Sequence, residues 1–158
     1  MSIEKVKAYF RQFGREEDVL EFESSSATVE LAAQALNVIP ARIAKTIALK
    51  NDDSCILIVA AGDARIDNMK FRAEFKVKAK MLSHDDVVRL VGYEVGGVCP
   101  FVINEGVPVF LDVSLKRFDS VFPACGSANS AIELTCSELY EYAQAAGWVD
   151  VCRDWETE

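Results

Sequence analysis

Lys45 stands in the run Arg42-Ile43-Ala44-Lys45-Thr46-Ile47-Ala48-Leu49-Lys50, where most of its neighbours are apolar. A lysine on a half-buried strand either meets an anion or carbonyl, which offsets the desolvation of its ammonium, or runs its stem back to water. The second candidate is the loop Gly96-Gly97-Val98-Cys99-Pro100. Bare glycine backbone can bring N–H groups close to a ligand, and such groups suit a carbonyl or a developing oxyanion. The same spacing also describes a tight turn that needs positive φ at one glycine. Within the loop, Cys99 is either a thiol nucleophile or a small buried residue, and it has no histidine or basic neighbour in sequence to lower its pKa.

Other chemistry finds less to work with. The one histidine, His84, precedes Asp85 and Asp86. A triad would have to join it to a distant Ser or Cys, because no GxSxG elbow is present; the alternative is a helix-cap residue on the surface. The glycines fit neither GxGxxG nor GxxxxGK[ST], and they follow a helix-like segment rather than a strand. One histidine and five scattered cysteines (Cys55, Cys99, Cys125, Cys136, Cys152) offer no metal-ligand spacing and no CxxC. No cofactor or metal is expected.

The elements that would position these residues follow from periodicity. Ile3, Val6, Tyr9, Phe10 and Phe13 describe an amphipathic helix over 2–13. Glu21-Phe22-Glu23 reads as a short strand, and Thr28 as the N-cap of a second helix. Ile43–Lys50 and Cys55–Ala61 read as a hairpin turning at 51–54. Asp67 and Ser83 are expected to cap helices over 68–75 and up to Val91. Further strands are expected at 77–81, 101–104, 107–113, 120–123 and 131–134. Thr135 with Glu138 forms a capping box for a helix over 136–146. Together these predict a single α+β domain over 1–158, with helices packed on a curved, partly closed sheet.

Composition agrees with a globular chain: 158 residues, 51% hydrophobic and 27% charged. No apolar run has the length of a membrane helix, so neither a membrane partner nor a targeting segment is expected. Unpaired cysteines point to a reducing cytoplasm. The net charge of −8 argues against a protein that coats DNA or RNA nonspecifically, and is compatible with recognition of one nucleotide end. Basic residues concentrate over 65–80, as Arg65, Lys70, Arg72, Lys76, Lys78 and Lys80 against Asp67 and Glu74.

Five segments in order, "ARIAKTIALK", "VAAGDARIDNMK", "GYEVGGVCPF", "VPVFLD" and "GSANSAIELT", resemble the YbaK/ProX family. Its members are free-standing aminoacyl-tRNA deacylases related to the editing domain of bacterial prolyl-tRNA synthetase, and the likeness implies a single α+β domain with helices packed on a mixed, barrel-like β-sheet. The likeness spans residues 24–145 and leaves 148–158 as an acidic tail that frays in part. It implies a hydrolase for the ester on the 3′ end of a mischarged tRNA, alanyl- or cysteinyl-tRNA for proline, with a tRNA acceptor end and a synthetase as partners. By resemblance Lys45, Gly96 and Gly97 carry the chemistry. Thr46, Val98, Cys99 and Pro100 contact substrate, while Gly126, Ser127, Asn129 and Ser130 form another wall and Phe22 is a weaker match. Relatives acting on cysteinyl esters often place an acidic residue just before "IEL", where this chain has Ala131; the small polar set at 127–130 suits a small amino acid such as alanine. A module that binds the aminoacyl end without cutting it is the alternative.

Overall fold

A computed structural model describes residues 2–155. The first amphipathic segment forms α1 (Ser2–Arg11), burying Val6 and Phe10. Phe10 meets Phe101 and Tyr142 edge-on. After β1 (Leu20–Glu21) comes α2 (Val29–Leu36), where the Thr28 hydroxyl accepts from the Leu31 N–H. The hairpin is as expected: β2 (Ile43–Asn51) and β3 (Ser54–Ala61) pair antiparallel around Asp52-Asp53. Residues 55–61 are all buried, which is why this strand reads as an unbroken apolar run rather than an alternating one.

Next come β4 (Arg65–Ile66), α3 (Asn68–Phe75) and α4 (His84–Leu90). Asp67 and Ser83 cap the two helices, their side chains accepting from the Lys70 and Asp86 N–H groups. The second half supplies β5 (Val109–Asp112), β6 (Ser120–Pro123), β7 (Ser130–Ala131), β8 (Leu134–Thr135) and α5 (Cys136–Tyr142). It closes with β9 (Gly147–Val149) and β10 (Cys152–Arg153). The Thr135–Glu138 capping box is present in both directions.

The main sheet runs β8-β6-β2-β3-β5-β9 and is mixed: β2/β3 and β6/β8 are antiparallel, the other pairs parallel. It curls into a half-barrel within one α+β domain: the periodicity predicts the α+β class and a curved sheet, and the family resemblance its mixed, barrel-like form. One interruption decides where the site lies. Strand β2 pairs with β6 only at Ile43↔Phe122 and Ala44↔Pro123. Farther along, the same edge meets residues 80–82: Leu82 N–H donates to the Ala48 carbonyl and Lys50 N–H to the Lys80 carbonyl. Peptides alternate in direction along a strand, so the Thr46 peptide faces the same edge as those of Ala48 and Lys50. It lies between the two pairings, with no strand beside it among the described residues.

Several expected elements differ. Residues 101–104 do not form a strand: Val102 takes φ 52, and Asn104 Nδ2 donates to the Arg89 and Leu90 carbonyls at the end of α4. A left-handed residue and a side chain committed to a helix terminus cannot join a ladder. Of residues 77–81 only Met81 bridges to β2, opposite Leu49. Residues 131–134 split between β7 and β8. Helix α5 ends at Tyr142, and the Ala146 N–H donates to the Val109 carbonyl, starting β9. The acidic tail is held through Trp155: the buried Asp112 carboxylate accepts from Val151 N–H, and Arg117 donates to the Trp155 carbonyl while gripping Asp63 with two bonds. Residues 156–158 of that tail lie outside the described residues.

Candidate functional site

The gap beside Thr46 opens into a cavity of about 420 Å³, a size suited to a small organic ligand. One wall is β2 from Ile43 to Ala48, Lys45 and Thr46 included; others are the loop before α2, the loop residues Gly96 and Val98, and Ser130 with Ala131 of β7. Most of this lining is apolar and small-chained, so each polar group on it stands out.

Lys45 is half-buried, and its ammonium donates to the Gly62 carbonyl at 3.3 Å and to the Ala64 carbonyl. Burial lowers its pKa below the ordinary lysine value, with Arg65 adding to the effect and the Cys152 and Asp63 side chains opposing it. Carbonyls, not a carboxylate, hold this cation, which leaves charge for a substrate anion to offset. Thr46 adds a second tension: its Oγ1 is buried and has no hydrogen-bond partner, alone among the described side chains.

The glycine loop divides its labour. Gly96, at φ 99, lines the cavity, and no hydrogen bond engages its N–H among the described residues. Gly97 does not line it. Its N–H donates to the Glu94 carbonyl, and a Cβ there would lie 3.0 Å from Ser127 Cα and 3.1 Å from the Gly126 carbonyl. So one glycine supplies a left-handed conformation and the other a close approach of two backbones. The tight-turn reading holds at Gly96, and the close approach at Gly97 is to the chain's own backbone.

Of the remaining expected site residues, Val98 and Ser130 reach the cavity; Phe22, Cys99, Pro100, Gly126, Ser127 and Asn129 do not. Phe22 is clipped to the 126–130 loop instead, its N–H donating to the Asn129 carbonyl and its own carbonyl accepting from Asn129 Nδ2, both at 2.8 Å. The Ser127 hydroxyl lies 2.8 Å from that of Ser130, which also accepts from the Cys125 N–H. These residues shape the wall from behind. Cys99 is fully buried, and burial pushes its thiol up to about 12. Met81, His84, Val87 and Val95 also line the cavity without having been singled out as site residues. Their signal in the sequence is slight: His84 reads as a cap residue, and an exposed Met or Val carries no mark until the fold shows where it lies.

Residues 23–142 match the sequence profile of the aminoacyl-tRNA editing domain. The chain belongs to this family. The chain is 56% identical over 157 residues to the uncharacterized protein YwhH of Bacillus subtilis, covering 99% of this chain and all of that one. A stretch of 105 residues is 26% identical to the proline–tRNA ligase of Bacillus pumilus, covering 66% of this chain and 18% of the ligase. Among solved structures, one described as a candidate trans-editing enzyme for prolyl tRNA synthetase superposes with a TM-score of 0.86 at 25% identity, covering 96% of this chain and 97% of that one. The matched span contains both the β2 edge and the glycine loop, so the editing domain's shared part includes the cavity. No helix of the described residues is long and apolar enough to cross a membrane.

Proposed function

We propose that this chain is a trans-editing hydrolase that cleaves the ester of a mischarged aminoacyl-tRNA, with alanyl- or cysteinyl-tRNA for proline as substrate. The observation that carries it is the cavity at the β2 edge, which brings Lys45, Thr46 and Gly96 onto one lining in a chain of the editing family. An aminoacyl ester is already activated, so water can attack it without a protein nucleophile. In this reading the aminoacyl group occupies the small-chained cavity, and the Gly96 N–H polarises the ester carbonyl as charge develops on it. The half-buried Lys45 ammonium supplies the positive potential, turning from the Gly62 and Ala64 carbonyls toward the substrate. Gly97 acts indirectly, by letting the loop close on residues 126–127. Water adds its hydroxyl to the acyl carbon, the ester C–O bond breaks, and the 3′-terminal ribose oxygen leaves with a proton, giving free amino acid and uncharged tRNA.

The test is ester hydrolysis across a panel of aminoacyl-tRNAs, beginning with alanyl- and cysteinyl-tRNA for proline, beside Lys45→Ala, Lys45→Arg and a blank without protein. The expected result is release of one amino acid, reduced about 100-fold or more in Lys45→Ala, with folding checked by thermal melting because Lys45 also ties two carbonyls. Blank-level rates for every ester would overturn the reading and leave a module that binds the aminoacyl end uncut.

A further inference from the structure

We propose that the single-stranded 3′ end of an RNA reaches the cavity along residues 76–82, its phosphates on Lys78 and Lys80 and its terminal base on Met81, His84 and Val95. This rests on the ester-cleaving reading and names the route by which that substrate arrives. The side chains alternate along the segment. Lys76, Lys78 and Lys80 are exposed, while Val77 and Ala79 are half-buried against the core. Its end is fixed to β2, since the Lys80 carbonyl accepts from Lys50 N–H and the Leu82 N–H donates to Ala48. Side chains on one face of extended backbone recur about every 6.8 Å, a repeat commensurate with successive phosphates of a single strand.

The cations are not equivalent. Lys76 donates to the Ala73 carbonyl at 2.8 Å, and Lys70 reaches Asp150 and the Cys152 carbonyl. The side-chain ammoniums of Lys78 and Lys80, by contrast, make no hydrogen bond or ion pair among the described residues. They lead to Met81, which is 63% exposed and lines the cavity; Val95, 49% exposed, and His84 line it too. A thioether, an imidazole and an aliphatic side chain at a cavity mouth offer a base a flat, polarisable seat. Past that seat the charge reverses. Asp85 and Glu94 share a neighbouring depression with His84 and Val95, and Arg89 there is paired with Asp86. A polyanion is therefore attracted from the lysine side and repelled from the other, which gives the strand one direction of approach in a chain of net charge −8.

The experiment is fluorescence anisotropy with a labelled RNA hairpin ending in single-stranded CCA, uncharged so that binding is read apart from hydrolysis. Compared are the full-length protein, K78E/K80E, K80E, M81S and K116E. The last changes net charge as K80E does, at a residue lying on the Trp148 ring in a separate depression. We expect K78E/K80E to weaken binding about tenfold or more and to flatten the slope of log K against log salt by about 1.4, the value for two phosphates of a single strand. M81S should weaken binding about fivefold without changing that slope, and K116E should leave affinity as it was. Unchanged affinity in K78E/K80E, equal loss in K80E and K116E, or equal competition by a polyglutamate peptide would each overturn the proposal. Lysine-dependent RNA binding in a protein that hydrolyses no aminoacyl ester would keep the route and remove the hydrolase reading instead.

Discussion

At Cys99 the surroundings decide between the two chemistries that the residue type leaves open. A cysteine in a glycine loop could be a nucleophile or a small buried residue, and this one has no exposed surface and a thiol raised to about 12 by burial. A thiolate is the reactive form, and at neutral pH this group supplies almost none. Although part of the loop, it does not line the cavity. Cys99→Ala is therefore expected to keep kcat/KM for the aminoacyl ester within about twofold while costing about 1 kcal/mol of stability through the small void it leaves. The checks are steady-state hydrolysis and chemical denaturation, and a loss beyond tenfold at intact fold would restore the thiol to the mechanism. Lys45 shows the reverse case. Its apolar neighbours signal a lysine that must find compensation, and the fold supplies compensation in carbonyls, leaving the cation available to an anion.

Among the elements, those governed by local rules were legible in the sequence. Thr28, Asp67, Ser83 and Thr135 each cap the helix they precede, because an N-cap is decided within four residues. The β2–β3 hairpin was legible for the same reason. Residues 101–104 were not, since their apolar spacing is strand-like and only the distant α4 terminus, satisfied by Asn104, shows why they turn. The site divides along the same line. Lys45, Thr46 and Gly96 lie in segments with a recognisable pattern, whereas Met81, His84 and Val95 become part of it through tertiary placement alone. The glycine loop gives this a test. A methyl group at Gly97 would press on Ser127 Cα and the Gly126 carbonyl, both backbone atoms that cannot swing aside. Gly97→Ala is expected to push the loop off residues 126–127, lowering stability by about 1–3 kcal/mol and kcat/KM by tenfold or more, read by melting and by ester hydrolysis. Wild-type turnover in that variant would detach the loop's seating from the chemistry.

For the whole molecule, the distribution of ionisable groups predicts how the fold responds to alkali. All five thiols are buried or half-buried, and burial raises the pKa of each, as it does those of the Tyr9 and Tyr93 hydroxyls. In the unfolded chain a thiol ionises near pH ~8.5. Between there and the folded value of about 12 for Cys99, the native state holds more protons than the unfolded one, so stability falls as pH rises. Below that window the contribution is fully present. Lys45 works in the opposite sense: its lowered pKa makes the unfolded state the better proton binder just below the ordinary lysine range, which adds stability as pH rises there. One half-buried ammonium stands against five thiols and two phenols, so the thiols decide the sign. The melting temperature, measured under reducing conditions, is expected to be level from pH 7 to 8 and to fall progressively from pH 9 to 11, with a shallower fall in Cys99→Ala. A melting temperature that stays level to pH 11, or that rises, would mean that these thiols ionise within the native fold, and that the backs of the glycine loop and its neighbouring wall admit water.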